Sequence, residues 1–412
     1  MSEIPDGWTI SSVNKLSKNG LFSDGDWVES KDQDSLGKNR LIQLADIGDG
    51  IFLNKSSRFL NDEQFSRLGC TELKEGDILI ARMPEPLGRA CLFHSREQKC
   101  ATVVDVAIIR LNNVDNFWLM SAINAPAFRQ EIIKNASGTT RTRISKSILG
   151  NIKIPLPPLS EQKKIAEILS SVDRNIEATE KLIAKLSELK EALMQELFTK
   201  GIGHTKFKDS PLGKIPEEWE VVRLGDISKI NPRLEQKPTP DFKVSFVPMD
   251  AVSNDGRLTY AIVRKYSEVS KGFTYFQDYD VLFAKITPCM ENGKGALVHG
   301  LMNHIGFGST EFHVLRATQK TTSEFVYHLV NWKNFRIEAE SNMTGSAGQR
   351  RVPTDFLKLY QMALPPLKEQ KQIGSILSGN DSKIEKAKTR LEKLKDMKKG
   401  LMQDLLTGKI RV

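Results

Sequence analysis

The segment Leu156-Pro-Pro-Leu-Ser-Glu-Gln-Lys163 occurs a second time, at an offset of 208 residues, as Leu364-Pro-Pro-Leu-Lys-Glu-Gln-Lys371. The same offset continues without a gap, so that Leu193-Met-Gln-Glu-Leu197 is matched by Leu401-Met-Gln-Asp-Leu405. About half of the positions from 156 to 202 are identical to their partners, which is far more than unrelated segments share. The sequence therefore predicts an internal duplication.

Outside this segment the two halves match at short anchors separated by stretches that differ widely in sequence and length. The anchors are Ile4-Pro-Asp-Gly-Trp8 with Ile215-Pro-Glu-Glu-Trp219, Gly76-Asp-Ile-Leu-Ile-Ala-Arg82 with Tyr279-Asp-Val-Leu-Phe-Ala-Lys285, and Ser137-Gly138 before Arg143 with Thr344-Gly345 before Arg351. A common scaffold thus carries two diverged variable regions. This pattern is typical of a protein that recognises two different targets with one common scaffold.

Apolar residues in the repeated segment follow a heptad pattern. They are Ile165, Leu169, Val172, Ile176, Ile183, Leu186, Leu193 and Leu197, and in the second copy Ile373, Leu377, Ile384, Ala387, Leu391, Leu394, Leu401 and Leu405. With Thr179 and Lys190 in the gaps, the spacing alternates between four and three, which indicates a coiled-coil seam. Each helix should run for about 39 residues, or about 58 Å. Two matching stripes separated by a whole domain favour antiparallel pairing, although each helix could instead lie on a globular domain.

Each variable region is predicted to be mixed α/β. The predicted strands are Arg40–Ala45, Asp77–Arg82, Ala90–Phe93 and Thr102–Arg110 in the first region, and Ser245–Met249, Asp280–Lys285, Gly295–His299 and Phe312–Leu315 in the second. One helix is expected in each region, over Phe117–Lys134 and Thr322–Glu340. We therefore predict two similar domains, residues 1–155 and 203–363, joined by two long helices, residues 156–202 and 364–412, packed as an antiparallel coiled coil.

Composition narrows the class of partner. The 412 residues carry 60 Lys and Arg against 51 Asp and Glu, a net charge of +9, so nucleic acid is the leading acidic partner. No stretch approaches the 18 apolar residues of a membrane span. The start of the chain lacks the features of a signal peptide, and four cysteines are too few for a disulfide framework, which favours the cytoplasm.

Basic residues in the variable regions lie beside Gly, Pro, Ser and Thr, in loops suited to contact phosphates and base edges. The DNA-binding candidates are Arg82, Arg89, Thr139, Thr140, Arg141, Arg143, Lys285, Lys294, Gln349, Arg350 and Arg351. Any one of these loops could be an ordinary solvated turn. The matching positions of the loops that end at Arg143 and Arg351 favour a shared role for those two.

The sequence offers no catalytic constellation. It contains no GxxxxGK[ST] phosphate loop, no GxGxxG after a strand and no HExxH metal motif. Asn231-Pro232-Arg233 fails the Asn-Pro-Pro-aromatic pattern of amino-methyltransferases at its third position. We accordingly predict no catalytic residue and no metal site.

Two variable regions, each followed by Leu-Pro-Pro-Leu-x-Glu-Gln and a helix ending in Leu-Met-Gln-x-Leu, resemble the specificity (S) subunit of type I restriction–modification systems. The resemblance covers essentially the whole chain. It implies that the variable regions are target recognition domains, each reading half of an asymmetric bipartite site in double-stranded DNA. It implies that the helices set the spacer between the half-sites, and that the subunit itself is not an enzyme.

The same resemblance implies the partners. Two modification subunits would use S-adenosylmethionine to methylate adenine, and restriction subunits would translocate and cut DNA, so S-adenosylmethionine, ATP and Mg²⁺ would be bound by partners and this chain would hold no cofactor. Glu161, Gln162, Glu369 and Gln370 at the helix starts belong to regions that meet the modification subunits. One departure from the first loop is Ala347-Gly348 in place of Thr140-Arg141, which puts an equivalent contact there in doubt.

Three other readings remain open at the level of sequence. The chain could be the specificity subunit of a type IIB-like system, which its residues do not separate from type I. It could be a DNA nuclease or methyltransferase with diverged motifs, or a coiled-coil scaffold that binds proteins alone.

Overall fold

The computed structural model of the chain describes residues 4–94, 98–138, 142–346 and 348–412. Packing divides the chain into two compact units. Unit 1 consists of Met1–Glu180 with Thr389–Val412, and unit 2 consists of Lys181–Lys388. Each long helix thus contributes to both units, whereas the sequence-based division treats the helices as separate segments.

Unit 1 combines short strands and short helices with parts of both long helices. Its elements are β1 (Thr9–Ser12), α1 (Val13–Leu16), β2 (Leu21–Asp24), β3 (Asn39–Ile42), β4 (Phe59–Leu60), α2 (Asp62–Arg67), β5 (Ile78–Ala81), β6 (Ala90–Leu92), β7 (Cys100–Thr102), β8 (Val106–Arg110), α3 (Asn116–Asn124), α4 (Pro126–Lys134), α5 (Lys146–Asn151), β9 (Lys153–Leu156) and the first part of α6 (Leu159–Thr199), with 3₁₀ turns at Ser17–Asn19, Ser30–Asp32 and Leu44–Asp46. The strands form an antiparallel sheet in the order β2-β8-β5-β6, a sheet β4-β3-β7 in which β3 and β7 are parallel, and the pair β1-β9.

Unit 2 repeats this plan. Its elements are the last part of α6, β10 (Phe207–Ser210), β11 (Gly213–Pro216), β12 (Glu220–Arg223), α7 (Leu224–Ile227), β13 (Ser228–Ile230), β14 (Lys243–Val247), β15 (Ile262–Lys265), α8 (Tyr266–Val269), β16 (Thr274–Gln277), β17 (Val281–Ala284), β18 (Gly295–Leu297), β19 (Ile305–Gly308), β20 (Phe312–Ala317), α9 (Ser323–Asn331), α10 (Lys333–Ser341), α11 (Thr354–Leu359), β21 (Gln361–Leu364) and the first part of α12 (Leu367–Leu406), with 3₁₀ turns at Met249–Ala251 and Met302–His304. The sheet orders are β13-β20-β17-β18, β15-β14-β19-β16, β12-β21 and β10-β11, and β14 and β19 are parallel.

Corresponding strands occupy corresponding places in the two units. The order β2-β8-β5-β6 is reproduced by β13-β20-β17-β18, and the parallel pair β3-β7 by β14-β19. The predicted mixed α/β class and the predicted duplication are confirmed at the level of topology.

The main core of unit 1 joins the sheet to the long helices. Trp118 and Ile123 of α3 are fully buried against Ile80 and Ile109 of the four-stranded sheet, and Ile165 at the start of α6 belongs to the same cluster. The apolar face of the helix start is therefore part of the domain core, which explains why the heptad pattern begins so close to the Pro-Pro segment.

The two long helices run antiparallel. In unit 1, Lys398 Nζ lies 2.6 Å from Asp173 Oδ1, and Lys395 Nζ lies 2.9 Å from Glu180 Oε1. Since the residue numbers rise along α6 from Asp173 to Glu180 while those of their partners on α12 fall from Lys398 to Lys395, the two helices run in opposite directions. No helix among the described residues is long and apolar enough to cross a membrane.

In unit 2, Lys190 pairs with Asp381 at 2.7 Å, which is the duplicate of the Lys398–Asp173 pair at the same offset. The buried Asn380 side chain donates to the Leu186 carbonyl oxygen at 3.0 Å and adds a polar contact to the seam. The predicted coiled-coil pairing of the two helices is confirmed.

The single helix predicted in each variable region was wrong. Unit 1 has α3 and α4, which are separated at Ala125 in an extended conformation and followed by Pro126 at the first helical position. Proline has no N–H and disfavours a helical residue before it, so the break follows from its presence. In unit 2 the same break occurs at Trp332, with ψ of 135° and no proline to mark it.

Candidate nucleic-acid interface

Two equivalent loops lead into α5 and α11. In unit 1, Arg143 N–H donates to the Ser137 carbonyl oxygen at 2.8 Å, and in unit 2 Arg351 N–H donates to the Thr344 carbonyl oxygen at 2.8 Å. The glycine that follows Ser137 or Thr344 has φ of 105° or 123°, respectively, a conformation that favours glycine. Each loop therefore closes on itself and returns an arginine to a defined position.

Each of these arginines is paired with a carboxylate and half exposed. Arg143 Nη2 lies 3.1 Å from Asp105 Oδ1, and Arg351 holds both Glu311 oxygens at 2.9 Å through Nε and Nη2. The Arg351 guanidinium lowers the pKa of the Glu311 carboxyl, and that carboxylate raises the pKa of Arg351. The side chains are 40% and 41% exposed, so guanidinium edges remain available to phosphate oxygens or base edges.

Unit 2 gathers more basic residues around its loop. Arg351 forms a β-bridge with Ile286, which brings the loop against the segment that begins with Lys285. Arg350 is 41% exposed, and its Nη2 lies 3.7 Å from Glu291 Oε1. The structure thus brings Lys285, Arg350 and Arg351 together on one side of unit 2.

The remaining loop candidates differ in their surroundings. Gln349 is exposed, and its carbonyl oxygen accepts a hydrogen bond from Arg351 Nη1 at 3.1 Å. Lys294 Nζ donates to the Met249 carbonyl oxygen at 3.0 Å, which directs it toward the domain. Thr139, Thr140 and Arg141 lie outside the described residues.

The prediction that Arg82 and Arg89 bind DNA is wrong, because both side chains are buried, at 2% and 7% exposure. Arg82 donates to the carbonyl oxygens of Val104 and Ile144, and Arg89 Nε donates to the Ile47 carbonyl oxygen at 2.6 Å. Burial lowers the pKa of each guanidinium. These two side chains satisfy buried carbonyl groups and hold loops together, so they are not free to contact DNA.

The two glutamates at the helix starts are also enclosed. In unit 1, Trp8 Nε1 donates to Glu161 Oε2 at 3.0 Å and Arg411 Nε donates to Glu161 Oε1 at 2.7 Å. Both hydrogen bonds lower the pKa of the Glu161 carboxyl, and the one from Arg411 has the larger effect. In unit 2, Trp219 Nε1 donates to Glu369 Oε2 at 2.9 Å. Each carboxylate therefore ties the entry of its domain to the start of a long helix.

The neighbouring glutamines also hold the helix starts in place. We call the hydrogen bonds made by the glutamate and the glutamine at each helix start the helix-start lock. Gln162 donates to the Pro157 carbonyl oxygen at 2.8 Å and Gln370 donates to the Pro365 carbonyl oxygen at 2.8 Å. Both glutamines are buried, at 3% and 1% exposure. Glu161, Gln162, Glu369 and Gln370 thus have their polar atoms engaged within the chain. The prediction that these regions meet the modification subunits stays a prediction.

Sequence reasoning missed the two tryptophans that complete the lock. Trp8 and Trp219 each donate a backbone N–H to the proline three residues earlier, so the Ile-Pro-x-x-Trp anchor forms the same turn in both units. Their exposures are 6% and 0%. The repeated Ile-Pro-x-x-Trp anchor marks these tryptophans in the sequence, but their hydrogen bonds to the repeated glutamates are visible only in the structure.

No group of three or more His, Cys, Asp or Glu side chains arranged to hold a metal ion occurs in the described part of the chain. The predictions of no catalytic residue, no metal and no cofactor remain predictions.

Known proteins resemble the chain along its whole length. The family model described as Type I restriction modification DNA specificity domain matches twice, over residues 22–188 and 216–396. The type I restriction enzyme MjaVIII specificity subunit of Methanocaldococcus jannaschii is 28% identical over 403 residues, which are 91% of this chain and 90% of that protein. The type I restriction enzyme EcoAI specificity subunit of Escherichia coli is 38% identical over 214 residues, which are 49% of this chain and 35% of that protein.

A crystal structure of the S subunit of a type I restriction–modification system from M. genitalium has the same fold. It superposes with a TM-score of 0.57 at 15% identity, over 98% of this chain and 97% of that one.

Proposed function

The chain belongs to the family of type I restriction–modification DNA specificity subunits, and from that premise we propose that each unit reads one half of a bipartite site in double-stranded DNA. The paired long helices set the spacer between the half-sites. The chain itself performs no catalysis. Two modification subunits methylate adenine at the site, restriction subunits cleave DNA, and the complex acts in the cytoplasm.

The observation that supports this proposal best is the duplicated arginine loop. Arg143 and Arg351 occupy equivalent positions, are oriented by a carboxylate, and remain 40% and 41% exposed. The two units differ around these arginines, since unit 2 adds Arg350 and Lys285 to its loop. A shared cationic anchor with different neighbours suits two domains that contact the same backbone and read different bases.

We expect Arg143→Ala and Arg351→Ala each to weaken binding of the complex with its modification subunits to its site by about tenfold, because each removes a charge-assisted contact. The log–log slope of affinity against salt should become shallower by about one unit for each variant if the lost contact is to a phosphate. Filter binding across a salt series measures both quantities.

Lys134→Ala is a matched control in unit 1, because this exposed lysine of α4 pairs with Glu131 on the surface and is not among the loop residues. Unchanged affinity, salt slope and methylation in both arginine variants would contradict the proposed contacts. Turnover of DNA by the isolated chain with S-adenosylmethionine or Mg²⁺ would contradict the non-catalytic role.

A further inference from the structure

A pocket of about 650 Å³ opens beside Arg143 in unit 1. Its lining includes Asp26, Trp27, Gln43, Asp105 and Arg143. The pocket adjoins the arginine loop through the Asp105–Arg143 ion pair, so a nucleic acid held at that loop would lie over its mouth. Its carboxylates disfavour a phosphate, and they suit the amino groups of bases.

Gln43 contributes an unpaired amide to this pocket. Its backbone N–H donates to Asp46 Oδ2 at 2.7 Å, and the fully buried Asp46 also accepts from Ser56 N–H at 2.8 Å, so the backbone at Gln43 is held firmly. The side-chain amide nitrogen is buried and has no hydrogen-bond partner among the described residues. Other buried polar atoms, such as Trp118 Nε1 in the core, are unpaired as well, but the Gln43 side chain lines a pocket in which a ligand can supply the missing acceptor.

Trp27 presents an aromatic surface at the same pocket. The preceding residue, Asp26, is fixed by its N–H to the Thr102 carbonyl oxygen at 2.7 Å and by Thr71 N–H to its Oδ2 at 2.9 Å. Trp27 itself is 68% exposed, and its indole Nε1 lies 3.4 Å from Glu29 Oε1. A large ring on a fixed segment offers a contact surface for a base or sugar at little entropic cost.

We propose that this pocket reads one base pair of the half-site bound by unit 1, with Gln43 recognising an adenine and Trp27 packing against the nucleotide beside it. This inference rests on the proposed function and names residues that carry its specificity. A glutamine amide can donate to adenine N7 and accept from adenine N6, which is a pairing that distinguishes adenine in the major groove.

Unit 2 lacks this amide at the equivalent position. The residue before its matching 3₁₀ turn is Pro248, where unit 1 has Gln43. Reading by Gln43 is therefore confined to one half-site, which makes the other half-site an internal reference for every measurement.

The test is selection of duplexes from a library with randomised positions, using the complex of the full chain with its modification subunits. We expect Gln43→Ala to reduce the preference for one A·T pair in one half-site by about tenfold and to leave the other half-site unchanged. The isosteric Gln43→Glu should move the preference at that position toward cytosine, because a carboxylate accepts from cytosine N4. Trp27→Ala should lower binding through the same half-site.

Leu36→Ala is the matched control, since Leu36 is a 92% exposed apolar residue of unit 1 that does not line the pocket. If Gln43→Ala proves unfolded by circular dichroism, Gln43→Glu and Trp27→Ala carry the test. If the Gln43 variants select the same bipartite motif as the wild type, or if Trp27→Ala binds as tightly as the wild type, this inference is overturned and the proposed function still stands. Changes spread over both half-sites would also overturn it, whereas a wild-type complex that selects no motif would refute the proposed function itself.

Discussion

Unit 1 and unit 2 share their topology and their helix-start lock, but they differ at the surfaces where DNA is expected. The tryptophan–glutamate pairs Trp8–Glu161 and Trp219–Glu369 are nearly identical in geometry, at 3.0 and 2.9 Å. By contrast, Gln43 in unit 1 is replaced by Pro248 in unit 2. The residues that repeat in the sequence are therefore mainly scaffold, and under the proposed function the residues that read bases lie among those that diverged.

The largest effect should come from breaking the scaffold. Trp219→Ala should destabilise unit 2, and Trp8→Ala unit 1, by about 3–5 kcal/mol, because each removes a buried aromatic and a partner of a buried carboxylate. Hydrogen–deuterium exchange along a urea series, resolved by unit, measures this. Trp27→Ala is the control, since a 68% exposed tryptophan should change stability by less than about 0.5 kcal/mol. Equal costs for all three would show that the lock is not structural.

A smaller effect should appear as pH falls, when unit 2 should lose stability through its two buried histidines. Burial lowers the pKa of His313 to about 4 and that of His328 to about 3, and both histidines belong to unit 2. Because the folded pKa lies below the unfolded value near 6.5, their stabilisation is complete above that value and is lost as pH falls. By pH 5, where carboxylates still contribute little, each histidine should cost unit 2 about 2 kcal/mol.

Replacing these histidines with their unit 1 counterparts should remove this sensitivity. His313→Ala and His328→Ser copy Ala107 and Ser121, which occupy the matching positions on β8 and α3. The measurement is the difference in exchange protection of unit 2 between pH 7 and pH 5 in the double variant and the wild type. An equal loss in both proteins would mean that the buried histidines do not control the acid response.

Sequence predicted the parts of the fold that depend on pattern. The heptads predicted α6 and α12, and short continuous apolar runs predicted strands such as β5 and β17 within a residue or two. The break at Trp332 could not be predicted, because no proline precedes α10 and tertiary packing decides the backbone there. Likewise Arg89 lies in a segment whose composition is typical of an exposed loop. Its burial depends on carbonyl oxygens such as that of Ile47, which is distant in the sequence.

The candidate site was predictable in outline and not in detail. Arg143 and Arg351 could be found because their loops match in position, and both are half exposed. Gln43 could not be found, since a glutamine without a repeated neighbour gives no signal until the pocket around it is known.

The claim that two reading units are held apart by a helical spacer is tested most directly by shortening the helices. Deleting the facing heptads 176–182 and 389–395 removes the Glu180–Lys395 pair and keeps the pairs of Asp173 and Lys190 with their partners. The helix pair should become shorter by about 10 Å, which corresponds to about three base pairs. Methylation mapping of cells that carry the complex should then show both half-sites unchanged and the spacer about three base pairs shorter. An unaltered spacer in a folded, active complex would contradict the spacer role of the helices.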